Sequence, residues 1–484
     1  MGQMVDVRMA QSIVHTLIVT SIAIYKDMTM KNTPESVFQL LPRICPWLLV
    51  VFAALSPLYT TDATAASEKK TRVIATTDGE VDDRCSMVRF HLYANEWDIQ
   101  GIIHSSSKFH WKGDENHKEN GWADVVWLDK QIDAYEAVYP NLKQHDATFP
   151  TPDYLRSQVF VGNIGYEGDM DKETPGSNRI VEVLLEQDDS PIWLQAWGGS
   201  NTIARALKTI KEKHPERVAE VTKTARLYLI AEQDKTLRQY IIPEWPGLEV
   251  LLSDWPAFEV IAYPWKKYLS EEQQSYFGEP WMTANILDGH GPLAGMYEAK
   301  KRRFHSEGDT PSYLHVIRTG LLSDAHPTYG GWGGRFKRDG DIWLSVDERG
   351  KPVHSIARWT IDFQNDWAAR ADWCVKNFEE ANHAPTVILA HDRMLSAKAG
   401  ASVPVDAGRS TDPDGDSLSY QWWHYGAAGT VTQPATIDNA TSAAATVHVP
   451  EAAKSGETLH LVCTVRDGGT PTLTRYARVI VTVK

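Results

Sequence analysis

Three carboxylates within a stretch of six residues are the clearest chemical feature of this chain. Asp78, Asp82 and Asp83 follow a short β-branched run at residues 73–75, and Gly79 permits a sharp turn after it. Because these like charges repel, a fold that keeps them together favours a cation between them. Carboxylate oxygens suit Ca²⁺ or Mg²⁺ better than they suit zinc or copper. A solvated acidic loop is the alternative for this segment alone.

The surrounding sequence alternates between strand-like and helix-like patterns from residue 72 to residue 365. Strands are predicted at 72–77, 99–104, 191–197, 226–230 and 248–252, and helices at 85–96, 123–139, 178–187 and 201–214. This alternation indicates βαβ units and an open, mostly parallel sheet that is covered on both faces.

In such a sheet, ligands bind at the carboxyl ends of the strands. The acidic loop, the serines at 105–107, the glycine pair at 198–199 and the segment after Ile230 all follow predicted strands. This coincidence favours a functional role for the acidic loop.

A second domain begins near residue 384, where Thr, Val, Ala and Gly become frequent. Short alternating stretches occur at 418–423, 445–449, 459–465 and 476–483. They predict an immunoglobulin-like β-sandwich of about 100 residues. The predicted organisation is an N-terminal extension with signal peptide at 1–65, an α/β domain at 70–380 and the sandwich at 384–484.

Charge and the N-terminus limit the partners and the location. The chain has 49 basic and 63 acidic residues, a net charge of −14, which argues against nucleic acid or an anionic membrane as the main partner. The apolar stretch at 46–58 is short for a membrane span and precedes small residues at 63–65. It predicts a signal peptide cleaved near Ala65, a secreted or periplasmic protein, and no stable membrane association after cleavage. An uncleaved anchor is the alternative, and the oligomeric state stays open.

The segment 76–83 resembles the N-terminal aspartate motif of nucleoside hydrolases, in which a strand opens into Asp-x-Asp-Pro-Gly-x-Asp-Asp. Segments 198–201, 231–234 and 307–311 resemble further motifs of those enzymes, in the expected order. The more specific similarity is to secreted bacterial cellulose-binding proteins, in which a nucleoside-hydrolase-like domain precedes a β-sandwich. It covers most of residues 70–484.

The resemblance implies roles for individual residues. Asp78 matches the general base and metal ligand, Asp83 a second ligand, and Asp82 a residue that binds sugar hydroxyls. The Ala196 carbonyl and Asp309 would complete the shell around a Ca²⁺.

Other positions match sugar-contacting residues or depart from the family pattern. Asn201, Glu232 and Asp234 fall at sugar-contacting positions, and Lys108 is nearest to a place where the family carries asparagine. Thr76 replaces the first aspartate. Gly308 replaces the histidine that activates the leaving group, and Glu307 or His305 could substitute for it, with Glu307 taken as the candidate.

A glycine-aromatic loop at 329–336 is a further candidate for binding. Its four glycines let the backbone approach a ligand, and Trp332 offers a flat face for a sugar ring. Arg335 could donate paired hydrogen bonds to a carboxylate. The alternative is a structural loop that packs Trp332 into the domain.

Together these features predict a secreted, Ca²⁺-dependent glycosyl hydrolase acting on a glycan or glycoside. An activated water would attack the anomeric carbon while Asp78 takes its proton. One alternative is a non-catalytic protein that binds cellulose or a related carbohydrate. Another is a periplasmic nucleoside hydrolase.

Overall fold

The computed structural model describes residues 69–298, 307–348 and 354–484. The predicted signal peptide, its cleavage site and His305 lie outside these residues. Lys70–Lys484 belong to one structural unit. Within the described ranges, none of the helices has the length and apolar character that a bilayer crossing requires.

The part of this unit from Thr71 to Ser345 is built on an eight-stranded sheet. Its spatial order is β3-β2-β1-β4-β5-β6-β8-β7. All neighbours pair in parallel except β7 and β8, which form an antiparallel edge. The predicted open, mostly parallel sheet is confirmed. Its strands are β1 (Thr71–Thr77), β2 (Trp97–His104), β3 (Val159–Val161), β4 (Ile192–Ala196), β5 (Ala225–Ile230), β6 (Glu249–Ser253), β7 (Phe336–Asp339) and β8 (Ile342–Ser345).

Helices follow most of these strands and cover the sheet, with short 3₁₀ and π turns between them. They are α1 (Val81–Leu92), α2 (Val126–His145), α3 (Pro152–Ser157), α4 (Pro175–Leu184), α5 (Asn201–Lys213), α6 (Val218–Thr224), α7 (Ile242–Glu244), α8 (Glu271–Ser275), α9 (Glu279–Met282), α10 (Gly291–Ala294), α11 (Thr310–Leu314), α12 (His354–Ala357) and α13 (Thr360–Asp372).

The sheet separates two hydrophobic cores. On β1, Val73 and Ala75 pack into one core and Ile74 into the other, because successive side chains of a strand point to opposite faces. A strand that is buried on both faces has no polar side, which explains the continuous apolar run that the sequence shows there.

The C-terminal part forms two packed sheets. One has the order β10-β13-β12 and the other β11-β14-β15-β9. Side chains from both sheets, including Val405, Trp422 and Val479, share a third core, as expected for a sandwich. The strands are β9 (Met394–Ala397), β10 (Ser402–Asp406), β11 (Ser419–His424), β12 (Thr436–Asp438), β13 (Ala444–His448), β14 (Thr458–Arg466) and β15 (Thr474–Val483).

The glycine-aromatic loop joins the sandwich to the α/β domain. Buried Arg478 of β15 donates hydrogen bonds to the carbonyls of Leu321, Tyr329 and Gly330 at 2.6, 2.8 and 3.0 Å. Trp332 is completely buried, and its indole N–H donates to the Tyr476 hydroxyl at 3.4 Å. The loop therefore holds two domains together at this joint.

This position corrects the predicted binding roles of Trp332 and Arg335. A fully buried indole offers no face to a sugar, so the alternative of structural packing describes Trp332. The Arg335 guanidinium pairs with Glu348 at 2.5 Å, and Glu348 also accepts from Tyr425 of the sandwich at 2.8 Å. The charge of Arg335 thus contributes to the contact between the two domains.

Candidate functional site

The loops that follow β1, β2, β4 and β5 meet at one edge of the sheet. The Ser105 N–H donates to the Thr77 carbonyl at 2.7 Å, and the Gly199 N–H donates to the Ser106 carbonyl at 2.9 Å. The Lys108 N–H donates to the Gln233 carbonyl at 2.6 Å. Four segments that are distant in sequence therefore form one connected surface at the carboxyl ends of adjacent strands.

The acidic residues occupy two neighbouring groups at this edge. One oxygen each from Asp82, Asp83 and Asp309 lies within 4.8 Å of the other two, and Asp78 forms a similar group with Glu80 and His110. The predicted metal ligands are the carboxylates of Asp78, Asp83 and Asp309 together with the Ala196 carbonyl. Asp82, predicted to bind sugar, joins Asp83 and Asp309 instead.

Helix α1 explains how Asp82 and Asp83 are positioned. It begins at Val81, earlier than the predicted start at residue 85, so both aspartates lie in its first turn. The helix dipole favours negative charge there. Asp83 Oδ1 also accepts from the Thr77 hydroxyl at 2.5 Å and from the Asp78 N–H at 3.1 Å, which ties the helix to the end of β1.

The chemistry of this group fits a hard cation. Asp82 Oδ1 and Asp309 Oδ2 are buried and, among the described residues, have no hydrogen-bond partner. Burial and then the charges of Glu80 and Asp78 raise the pKa of Asp82 to about 8. Burial, together with neighbouring aspartates, also raises the pKa values of Asp83 and Asp309 well above their ordinary range. Unpaired oxygens and repelling charges are what a Ca²⁺ or Mg²⁺ would stabilise.

Asp78 has a different electrostatic environment. Burial alone would raise its pKa, but the hydrogen bond and charge of His110, whose Nδ1 lies 3.4 Å from Asp78 Oδ2, lower it on balance. The Glu80 N–H also donates to Asp78 Oδ1 at 3.1 Å. Asp78 is therefore held as a carboxylate, the form that can accept a proton.

Two glycines make room for these carboxylates. A Cβ atom at Gly308 would lie 2.5 Å from Asp82 Oδ2, and one at Gly198 would lie 2.9 Å from Asp78 Cβ. Neither position tolerates a side chain unless the aspartate moves. The absence of histidine at 308 thus has a steric reason, because the Asp82 carboxylate fills that space.

The register of the sheet corrects the predicted role of Ala196. The Trp197 N–H donates to the Thr76 carbonyl at 2.9 Å, so the N–H that follows Ala196 faces β1. Because successive residues of a strand alternate, the carbonyl of Ala196 faces β5, where Ala196 pairs with Leu229. The next carbonyl along the chain, that of Trp197, accepts from Gln233 Nε2 at 2.6 Å.

The predicted catalytic role of Glu307 is also corrected. Its side chain is completely buried and pairs with Arg89, with Oε1 2.9 Å from Nε and Oε2 3.3 Å from Nη2. Thr310 Oγ1 donates to Oε1 at 3.1 Å. Glu307 therefore fixes the segment before Asp309 and does not face the loops of the site.

Two of the predicted sugar-binding residues hold loops together. The Asn201 amide donates to Ser106 Oγ and to two backbone carbonyls, at 2.8–3.0 Å. Asp234 Oδ2 accepts from the Asn201 N–H at 3.0 Å, and Oδ1 accepts from the N–H and the hydroxyl of Thr236. The hydrogen-bonding groups of Asn201 and Asp234 are therefore occupied by partners within the protein.

Lys108 and Glu232 lie closer to solvent but also have internal partners. Lys108 Nζ donates to the Glu232 carbonyl at 3.0 Å, and the Glu232 carboxylate pairs with Arg238. Of the predicted sugar-binding residues, Asp82 is the one that lines the adjacent pocket.

That pocket has a volume of about 370 Å³ and is lined largely by residues that the sequence analysis did not select. Some follow strand ends already considered, such as His110 and Gln233. Trp255 follows β6, the next strand in the sheet. The strand-end rule, extended by one strand, would have indicated it. The lining residues are Glu80, Asp82, Phe109, His110, Ile230, Gln233, Trp255, Phe258, Glu259, Ala262, Tyr263 and Pro264.

Family comparison agrees with this architecture. Residues 72–336 match the model of the nucleoside hydrolase-like domain of cellulose-binding Sde182, and residues 402–483 match the C-terminal domain of cellulose-binding protein Sde0182. The chain belongs to this cellulose-binding family. The nucleoside-hydrolase-like domain of this family corresponds to the α/β domain of the present chain. The predicted resemblance is therefore confirmed.

A solved structure supports the same assignment. A nucleoside hydrolase-related hypothetical protein from Saccharophagus degradans, associated with carbohydrate metabolism, is 33% identical with a TM-score of 0.73. The match covers 86% of this chain and all of that protein.

Two other solved structures match less well. The plant nucleoside hydrolase PpNRh1 is 12% identical, with a TM-score of 0.31, over 63% of this chain and 99% of its own. The PKD domain of the KIAA 1837 protein is 21% identical, with a TM-score of 0.17, over 22% of this chain and 92% of its own. A search of curated proteins found no match to the chain.

Proposed function

We propose that this protein is a secreted, Ca²⁺-dependent hydrolase that cleaves a glycosyl bond in a carbohydrate. The observation that carries the proposal is the pair of buried oxygens on Asp82 and Asp309, which have no hydrogen-bond partner in the described part of the chain and lie beside Asp83. Asp82 lines a pocket, and the protein belongs to a cellulose-binding family. The proposed export rests on the predicted signal peptide.

Each group of residues at the site has a separate role in the proposed reaction. Asp82, Asp83 and Asp309 would hold the cation, which when bound supplies a water of lowered pKa. Asp78 is ionised and would accept a proton from the attacking water, while the departing oxygen would take up a proton from solvent as the glycosyl bond breaks. Glu80 and Gln233 line the pocket, where their side chains would meet sugar hydroxyls. Carboxylates near the anomeric carbon stabilise the positive charge that develops as the bond breaks.

Replacement of Asp78 by asparagine tests this division. Asp78→Asn keeps the shape of the side chain but removes the base, so hydrolysis should fall by about 100-fold or more. Release of reducing sugar is measured on a panel of oligosaccharides and glycosides. Asp153→Asn is the matched control because the Asp153 side chain is almost fully exposed in the α3 region. Unchanged hydrolysis in Asp78→Asn would refute the proposed mechanism.

A second candidate function is carbohydrate binding without catalysis. The family description favours it, and so does the burial of Glu307 against Arg89, which removes the predicted acid from the site. Pull-down on insoluble cellulose, with and without a chelator, separates the two. Binding that ignores the chelator, with no sugar released, favours a binding protein. Release of ribose from inosine or uridine would instead favour a nucleoside hydrolase.

A further inference from the structure

Two exposed aromatic side chains flank the mouth of the pocket. Trp255 is 54% exposed and Phe109 is 44% exposed, and both line the pocket. Among the described residues, Tyr154 is the other aromatic side chain with comparable exposure, and its hydroxyl donates to the Ile99 carbonyl at 2.8 Å. Large apolar surfaces left in water next to a concavity mark a ligand-binding site.

Each aromatic ring contacts a neighbouring side chain. Trp255 packs edge-to-face on Phe258, with ring centroids 4.5 Å apart. Lys108 Nζ lies 4.9 Å from the Phe109 ring centroid, and the Phe109 N–H donates to Ser107 Oγ at 3.0 Å. These contacts restrict the rings before a ligand arrives, which lowers the entropic cost of binding.

The lining of the same pocket also includes polar side chains. Glu80, Asp82, His110, Gln233 and Glu259 line it. A sugar ring has the complementary chemistry, with apolar C–H faces that stack on aromatic rings and hydroxyls that bond to carboxylates and amides. The volume of about 370 Å³ is near the lower end for small-molecule sites, so it accommodates few sugar units.

We propose that the pocket receives the terminal unit of a glycan chain and that Trp255 and Phe109 hold the following unit at the mouth. The inference rests on the proposed function only in taking the ligand to be a carbohydrate, and it does not require hydrolysis. Two aromatic rings flanking a concavity select a chain end or a soluble oligosaccharide. A flat crystalline face would need an exposed, coplanar row of such rings.

The test is the dependence of affinity on chain length. Glucose, cellobiose, cellotriose and cellotetraose are titrated calorimetrically, with Ca²⁺, into the full chain carrying Asp78→Asn to prevent turnover. Affinity should rise about ten-fold from glucose to cellobiose and little thereafter, because a truncated hot-spot aromatic commonly costs that much. Adding Trp255→Ala should remove this gain, so that cellobiose binds no more tightly than glucose, and Trp255→Phe should keep most of it.

Met394→Ala is the matched control, since Met394 is 60% exposed on the distant sandwich strand β9. It should leave all four affinities unchanged. The proposal is overturned if Trp255→Ala keeps the gain from the second sugar, if affinity keeps rising through cellotetraose, or if none of the four sugars binds. Failure of the proposed hydrolysis would show separately, as no sugar release by the wild-type protein.

Discussion

Replacement of Arg89 by methionine tests whether Glu307 has a structural role. The Arg89 side chain is 1% exposed, and its guanidinium forms the 2.9 Å contact with Glu307 Oε1. It also lies 3.9 Å from the Trp367 ring centroid and donates to the side chain of Gln364. Arg89→Met leaves the Glu307 carboxylate buried without its cation, which costs about 3–5 kcal/mol in the free energy of unfolding.

The double variant completes this test. Arg89→Met combined with Glu307→Leu removes both charges, and we expect it to recover the roughly 3–5 kcal/mol that Arg89→Met alone loses. Urea unfolding followed by tryptophan fluorescence gives the free energies, and the same proteins are assayed for sugar release. If Glu307→Gln abolished hydrolysis while leaving stability unchanged, Glu307 would be catalytic and the structural interpretation would be refuted.

Three further outcomes follow from the described contacts. Asp82, Asp83 and Asp309 have raised pKa values, so the folded state keeps protons at a pH where the unfolded state has lost them. The thermal stability of chelator-treated protein should therefore fall as the pH rises from about 5 to about 8. Added Ca²⁺ should restore that stability most at the higher pH; a melting temperature independent of pH would contradict this. Trp332→Ala should lower the free energy of unfolding, measured in urea, by about 3–5 kcal/mol and leave the affinity for oligosaccharides unchanged. Weaker binding with unchanged stability would show that Trp332 belongs to the binding site. Arg478→Met removes the hydrogen bonds to the carbonyls of Leu321, Tyr329 and Gly330. Each carbonyl that is left without a partner should lower the free energy of unfolding by about 1–3 kcal/mol. Limited proteolysis should then separate the sandwich faster than in wild type, and an unchanged cleavage rate would argue against Arg478 as a domain clamp.

The fold was predictable because its main signals are local. Strands β1, β4 and β5 are short apolar runs that end in glycine or polar residues, and both faces of their sheet are covered. The strand-end rule then placed the acidic loop beside the loops after β2, β4 and β5. The boundary of α1 was missed because Asp82 and Asp83 look like loop residues in sequence, although carboxylates are favourable in the first turn of a helix.

The remaining site features depend on distant contacts. Arg89 and Glu307 are 218 residues apart, and no pattern in the sequence pairs them. The burial of Trp332 depends on how the sandwich docks. The direction of the Ala196 carbonyl depends on the register of β4 between its neighbours, which a side-chain pattern does not determine.

Calcium binding tests the central claim most directly. Chelator-treated wild-type protein and Asp309→Asn are titrated with Ca²⁺ by calorimetry at the same pH. We predict a binding event in the wild type that is weakened about ten-fold or more in Asp309→Asn, because Asp309 supplies one of three clustered carboxylates. Identical titrations of the two proteins, or no binding by the wild type, would contradict the assignment of this cluster as a cation site.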